Sequence, residues 1–404
     1  MSTIKITTIG TGFLAMMLVW TFYNAYMPLV LSEYIDSSAL RGGIMGLDNL
    51  IAVFLIPVIG TWSDRINGRH GQRLPFLAVG MPLAALFFIL IPIVSETSLW
   101  VLLCVDVLFL LAMTIFRAPV ISLMPDETPP AKRSSANGLI NLMGGIGAMG
   151  ALFGLSRLYT VDTTFPFLIA AGVMLLSFAL LWKTINRKPP YANAQEEHEE
   201  TKPLSALLDG LKHLPKKSLR GPFLILLAIF CYFIGYSGIE AQFTTYAVGH
   251  LGMDAGAAGT TLGFFSLSFV LFALPAGLLG NRFGKVRMML LGLGFLAVFF
   301  IAMPFLTSVT AVRIILFIAG FGWALVNVQA YPLVADLGGK ENIGYFTGLY
   351  YFFSMASSLV APFIAGLFMD FLSLQALFYV AVASFLVAFV LLRQGTRTNK
   401  EWAA

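Results

Sequence analysis

The sequence predicts an all-α polytopic membrane protein with twelve transmembrane helices in two pseudo-symmetric six-helix bundles. Three observations carry that expectation. The chain of 404 residues is 58% hydrophobic and 11% charged, where a soluble domain carries about 25% charged residues. Apolar runs of about 20 residues, enough to cross a bilayer, recur along its whole length. A basic, glycine-punctuated loop, Gly60–Phe76 (GTWSDRINGRHGQRLPF), returns in weaker form as Gly277–Arg287 (GLLGNRFGKVR), which implies an internal repeat. Such loops cannot lie in hydrocarbon, so each is a water-facing turn joining two spans.

Taken in order, the spans fall near residues 7–31, 40–62, 75–94, 99–123, 137–156 and 164–184, then 222–247, 255–280, 288–305, 310–335, 344–369 and 373–393. The first is too long for a signal-peptide core and lacks a cleavage pattern behind it, so it is expected to remain as a helix. The long hydrophilic stretch between the sixth and seventh spans sets the expected organisation: a bundle over 1–184, a cytoplasmic linker over 185–221 and a second bundle over 222–404. Within the linker, Leu204, Leu207, Leu208, Leu211 and Leu214 recur at helical spacing beside Lys202, Lys212, Lys216 and Lys217. That pattern predicts an amphipathic helix on the inner membrane surface, with a plain linker as the alternative. Of the 25 Lys and Arg, all but Arg41, Arg117, Arg157 and Arg313 lie on one side of this topology. The asymmetry predicts a multi-pass protein of the cell (inner or plasma) membrane with both termini cytoplasmic.

A second landmark supports the repeat. Ser122-Leu-Met-Pro-Asp126 and Gly138-Leu139 align with Pro332-Leu-Val-Ala-Asp336 and Gly348-Leu349 at a constant offset of 210 residues. Two parallel halves with ends on the same side are the simplest account.

Polar residues are unevenly placed. The third, sixth, ninth and twelfth spans are almost purely apolar and are expected to face lipid. Residues that are costly in hydrocarbon concentrate elsewhere: Asn24, Asp48, Asp106, Arg117, Glu240, Asn327 and Gln329. An ionised group at mid-membrane costs about 2.5–3.5 kcal/mol, so these need partners or a wet cavity, which the first, fourth, seventh and tenth spans are expected to enclose. Trp323, Asn327 and Tyr331 share one helical stripe, as do Tyr236, Glu240 and Phe243, and Trp20 with Asn24 beside Tyr23. Aromatic faces beside polar tips suit a sugar; ordinary helix packing is the alternative account of the same stripes. Trp20, Tyr23, Asn24, Arg117, Tyr236, Trp323, Asn327 and Gln329 are therefore the candidate substrate residues. Arg117 is expected to meet Asp48 or Glu240, to help hold an anionic or hydroxyl-rich ligand, or to form a purely structural pair.

Glu240, Asp48 and Asp106 are the candidate proton carriers, in that order. Asp106 lies nearer the outer end of its span, where simple hydration is the alternative to a carrier role. The glycines of the fifth span (Gly144, Gly145, Gly147, Gly150, Gly154) predict close packing against a helix of the other half. Cys104 and Cys231 sit in separate apolar runs, and the four histidines fall in predicted loops. No disulfide framework, metal site or cofactor is expected beyond a coupling ion, proton or sodium. Nothing supports a nucleic-acid partner. With no nucleophile–base set or phosphate loop, enzymatic catalysis is not expected either. The expected partners are the lipid bilayer and a small molecule, for a monomeric protein.

The twelve spans and the repeated Gly-x-x-x-Asp-Arg loop resemble the major facilitator superfamily over the whole chain. The resemblance implies a cytoplasmic latch: Gly60, Asp64, Arg65, Arg69 and Arg73 in the first copy, Asn281, Arg282 and Lys285 in the second, pairing with acids such as Asp126 and Asp336. Asn281 stands where the second copy usually has an acid. More narrowly, Ser63-Asp-Arg, Arg69, Gly71, Arg73, Pro75 and Phe76 are similar to the signature of plant sucrose–proton symporters and their animal relatives; melibiose-permease-type glycoside symporters share much of the spacing. In that alignment the plant proteins' membrane Arg falls near Ile121, one helical turn from Arg117. The Gly-Pro run of drug antiporters is absent from the fifth span. The resemblance implies proton-coupled symport of a glycoside or disaccharide by alternating access. The alternatives are a proton-driven exporter or exchanger of amphipathic or anionic metabolites and, further off, a non-transporting receptor.

Overall fold

A computed structural model describes residues 3–66, 69, 71–129, 133–191, 220–337 and 343–398. The expected amphipathic linker helix lies outside the described residues. The helices are α1 (Thr3–Leu31), α2 (Ser38–Arg65), α3 (Leu74–Val94), α4 (Leu99–Glu127) and α5 (Arg133–Met149), which continues through a π-helical turn (Gly150–Leu155) into α6 (Ser156–Tyr159). They are followed by α7 (Phe165–Thr184), α8 (Arg220–Gly249), α9 (Ala255–Phe283), α10 (Lys285–Phe300), α11 (Val309–Leu337), α12 (Ile343–Phe371) and α13 (Ala376–Thr398). Among the described residues, twelve helical spans are long and apolar enough to cross a membrane, so the chain is a multi-pass membrane protein. Backbone polar groups satisfied within helices are what hydrocarbon demands.

Two compact units form. The first holds Met1–Tyr34, Leu50–His198 and Asp254–Thr260; the second holds Ile35–Asn49, Glu199–Met253 and Thr261–Ala404. In the first, α1 packs on α5 and α7, and α3 packs on α4 and α7. In the second, α8 packs on α12 and α13, and α10 packs on α11 and α13. These are equivalent pairings, so the repeat seen in two short loops extends to helix packing. The apolar helices α3, α7, α10 and α13 each present exposed large hydrophobics, for example Leu86, Leu176, Leu291 and Leu386, but so do α2 (Phe54) and α9 (Leu274).

The glycines of α5 correct one expectation. A Cβ at Gly144 would meet Met17 at 3.3 Å, one at Gly147 the Leu14 carbonyl, and one at Gly150 Leu18 at 3.5 Å. The partner is therefore α1 of the same half. Small residues bring α1 and α5 together because packing, with no hydrophobic drive between helices in lipid, favours close backbone approach.

At the Ser38 end of α2, the second unit holds this helix tightly. The Asp370 carboxylate, on α12, accepts from Ser37 Oγ (2.6 Å), Ser38 N (2.7 Å) and Ala39 N (3.0 Å). The two backbone N–H groups are N-terminal donors of α2 that lack an intrahelical partner. Buried Gln242 of α8 donates to the carbonyls of Ser38 (2.9 Å) and Pro362 (3.2 Å). The first unit has a counterpart at the start of α9, where Tyr26 Oη donates to Ala255 O (3.1 Å). A Cβ at Gly256 would strike the Ser156 carbonyl.

Candidate functional site

In the second unit, α8 carries Tyr236 and Glu240 one turn apart, on the same face by helical geometry. The Tyr236 hydroxyl donates to the Glu240 carboxylate, and Asp48 of α2 is close enough for its charge to act on Glu240. Asp48 is buried, and its Oδ1 accepts from Asn49 N (2.5 Å) and Nδ2 (2.6 Å). The structure thus brings together two of the three candidate proton carriers. The third, Asp106, is in the first unit and fully buried at 0% exposure, so the hydrated alternative is not what the structure shows. The α4 residues flanking it, Val105 and Phe109, are buried with it.

Trp323 of α11 stacks on Tyr236, with ring centroids 4.0 Å apart and planes at 4°. Tyr232 and Phe233 meet its edges, each at 5.7 Å. Only 2% of Trp323 is exposed, so neither face of its ring is open to a sugar. Gln329 is also directed away from such a role: it is buried, and its Nε2 donates to Ala276 O at 2.7 Å, tying α11 to α9. Asn327, on the Trp323 stripe, is half-buried. Ser237 and Ser358, which sequence reasoning passed over, meet hydroxyl to hydroxyl at 2.9 Å and join α8 to α12.

In the first unit, α1 and α4 bring Trp20, Tyr23 and Arg117 together. The Arg117 guanidinium lies over the Trp20 ring at 5.2 Å, a cation–π arrangement suited to a planar cation. Trp20 and Tyr23 have centroids 6.0 Å apart, and buried Tyr23 meets Phe109 at 5.2 Å. Asn24 is half-buried beside them.

The basic loop of the first unit is organised by Arg73. Its Nε lies 2.9 Å from Asp126 Oδ2, its Nη2 lies 2.5 Å from Asp64 Oδ1, and Nη1 donates to Ser63 Oγ. Arg73 is buried and Asp126 fully so, whereas Arg65 and Arg69 are exposed. Gly71 takes φ +83, and a Cβ there would strike the Arg187 carbonyl, so glycine is needed for both torsion and clearance. Gly60 has open space around it. Beside the hub, buried Glu127 accepts from Lys5 Nζ (3.3 Å), Asn186 N (2.9 Å) and Asn186 Nδ2 (3.1 Å). No motif pointed to Glu127; its position after Asp126 was the sole signal.

In the second unit the corresponding pair is Lys285 with Asp336. Asn281 and Arg282 are exposed, and Arg282 lies 5.3 Å from the Phe283 ring centroid.

Known proteins share this organisation. The curated protein named Siderophore iron transporter 2, from Schizosaccharomyces pombe, is 25% identical over 163 residues, covering 39% of this chain and 27% of that one. The match thus spans about a quarter of that relative. Among solved structures, the nucleoside transporter NupG superposes with a TM-score of 0.77 at 12% identity, covering 98% of this chain and 100% of that one. A bacterial homologue of the human drug peptide transporters PepT1 and PepT2 superposes with a TM-score of 0.75 at 11% identity and 99% coverage of both chains. At such identities the likeness speaks to fold. The family model described as Major Facilitator Superfamily matches residues 9–259 and 225–403, and on that match, with the recurring helix pairings, this chain belongs to the major facilitator superfamily of membrane transporters.

Proposed function

We propose that this transporter is a proton-coupled symporter of a glycoside or disaccharide, working by alternating access in the cell membrane with both termini cytoplasmic. The observation that carries the reading is Glu240: a carboxylate held by the Tyr236 hydroxyl, in the field of Asp48, one turn from the Tyr236–Trp323 stack. A proton taken by Glu240 removes the charge toward which Tyr236 is oriented and relieves the repulsion with Asp48. The local helix contacts of α8 then change with protonation, and differential stabilisation of two conformations is what drives a population shift. One charge moved across 100 mV supplies about 2.3 kcal/mol, enough for accumulation on the order of forty-fold.

The similar proteins carry, by their names, nucleosides, peptides and siderophore iron. Sugar as the cargo rests on the loop signature Arg73-Leu-Pro-Phe76 and on aromatic residues beside polar ones. A second reading, export or exchange of amphipathic anions, is favoured by Arg117, whose guanidinium lies on Trp20 in a half-buried position. Purified protein in vesicles, scanned with mono- and disaccharides for sugar-induced proton uptake, tests the first reading. Proton-driven efflux of an organic anion, with no sugar-dependent pH change anywhere in the panel, would replace it with the second.

A further inference from the structure

The stripe of α11 that begins at closed Trp323 ends at an open ring. Tyr331 lies two turns beyond Trp323, about 12 Å along the helix, and is 40% exposed. Across from it on α12, Tyr351 is 52% exposed and Tyr350 only 8%. Tyr331 and Tyr351 have centroids 6.3 Å apart, and Tyr350 meets both, at 5.7 Å and 5.3 Å. The buried ring therefore fixes the positions of the two open ones. One turn before Tyr331 stands half-buried Asn327. The residue after Tyr331 is Pro332, whose carbonyl accepts from Lys285 Nζ at 3.4 Å, and Lys285 also pairs with Asp336.

The fold itself does not ask for rings at this place. At the offset of the repeat, the positions equivalent to Tyr331, Tyr350 and Tyr351 are Ile121, Ile140 and Asn141. Those residues sit on equivalent helices, with Ile121 and Asn141 likewise exposed. An aliphatic side chain and an amide serve the first unit equally well. Three rings in the second unit are thus a local addition to a scaffold that stands without them.

We propose that Tyr331 and Tyr351 form a binding subsite for a pyranose ring, resting on the sugar reading above and replacing Trp323 as its stacking platform. Each offers a flat face for the C–H side of a sugar and a hydroxyl at its edge. Asn327 on one side and the Lys285–Asp336 pair on the other supply donors and acceptors for sugar hydroxyls. A disaccharide needs such a place because Trp323, covered by Tyr236, is only 2% exposed.

The test uses the purified full-length protein in lipid nanodiscs, titrated calorimetrically with sucrose, melibiose and methyl α-galactopyranoside. Tyr331→Leu and Tyr351→Leu keep apolar bulk and remove the ring; each is expected to weaken binding about three- to tenfold. Tyr331→Phe and Tyr351→Phe keep the face and stay within about twofold. Asn141→Ala, at the equivalent place in the first unit, leaves affinity unchanged. Thermal unfolding of every variant identifies any Leu variant whose loss of binding is a loss of fold, in which case the milder Phe/Leu comparison at the other tyrosine decides. Wild-type binding with undiminished affinity in both Leu variants overturns the subsite and leaves sugar symport standing. Absence of binding to all three sugars by the wild type overturns both.

Discussion

In the first repeat Arg73 is 5% exposed and joins Asp126, Asp64 and Ser63; in the second, Lys285 is 28% exposed and joins Asp336, itself 65% exposed. The two loops descend from one pattern, yet burial places them in different energetic regimes. Removing one partner from a buried ion pair strands the other charge and costs about 3–5 kcal/mol. An exposed pair contributes about 0–1 kcal/mol because water screens it and the side chains lose entropy in forming it. The first unit carries the rigid hub, supported by Glu127 and the Gly71 turn, while the second carries Glu240, the aromatic stack and the open tyrosines. The buried ion-pair hub and the Glu240–Tyr236–Trp323 cluster thus fall in different repeats of a scaffold whose helices pack alike.

The largest expected effect tests the chemical side of this division. Glu240→Gln should abolish sugar accumulation against a gradient while exchange or binding persists, read by comparing uphill uptake with counterflow in vesicles. Undiminished uphill uptake would transfer the carrier role to Asp48 or Asp106. On the anchoring side, Arg73→Ala should lower stability by about 3–5 kcal/mol, because fully buried Asp126 is left without its cation. Denaturant or thermal unfolding in detergent reads this, and a change below about 1 kcal/mol would mean that the hub is no stronger than a surface pair. Asp370→Ala removes the cap of α2, with an expected loss of about 1–2 kcal/mol. It should also raise the reactivity of a cysteine placed at Ser38 toward a membrane-impermeant maleimide; equal labelling with and without Asp370 would mean that the cap does not shield that end. Lys285→Ala should change stability by less than about 1 kcal/mol. The smallest effect sharpens the contrast: Asn281→Asp restores the acid of the second loop but, being exposed, should stay within about 0.5 kcal/mol.

How far the sequence reached differs by residue. The basic loop was legible because charged side chains between apolar runs have only one physically acceptable location. Which arginine takes Asp126 was not, since Arg65, Arg69 and Arg73 are equally basic and the partner lies on a helix 53 residues further on. Asp370 carried no motif, and its role as a cap for a helix more than 330 residues earlier in the chain exists only through folding. The stripe of Trp323, Asn327 and Tyr331 was visible from helical period alone. That Trp323 is covered and Tyr331 open depends on what α8 and α12 place against each, which no periodicity of α11 encodes. Likewise the glycines of α5 announced close approach but not to whom.

The sequence by itself determined the number of spans, the repeat and the inventory of costly polar groups, because the energetics of water and hydrocarbon act on each segment almost independently of its neighbours. Tertiary structure decided which carboxylates face one another, which arginine is buried and which aromatic faces stay free. Those outcomes depend on contacts between residues far apart in the chain, where a rotation of a single helix exchanges a hydrogen-bond partner for lipid or water.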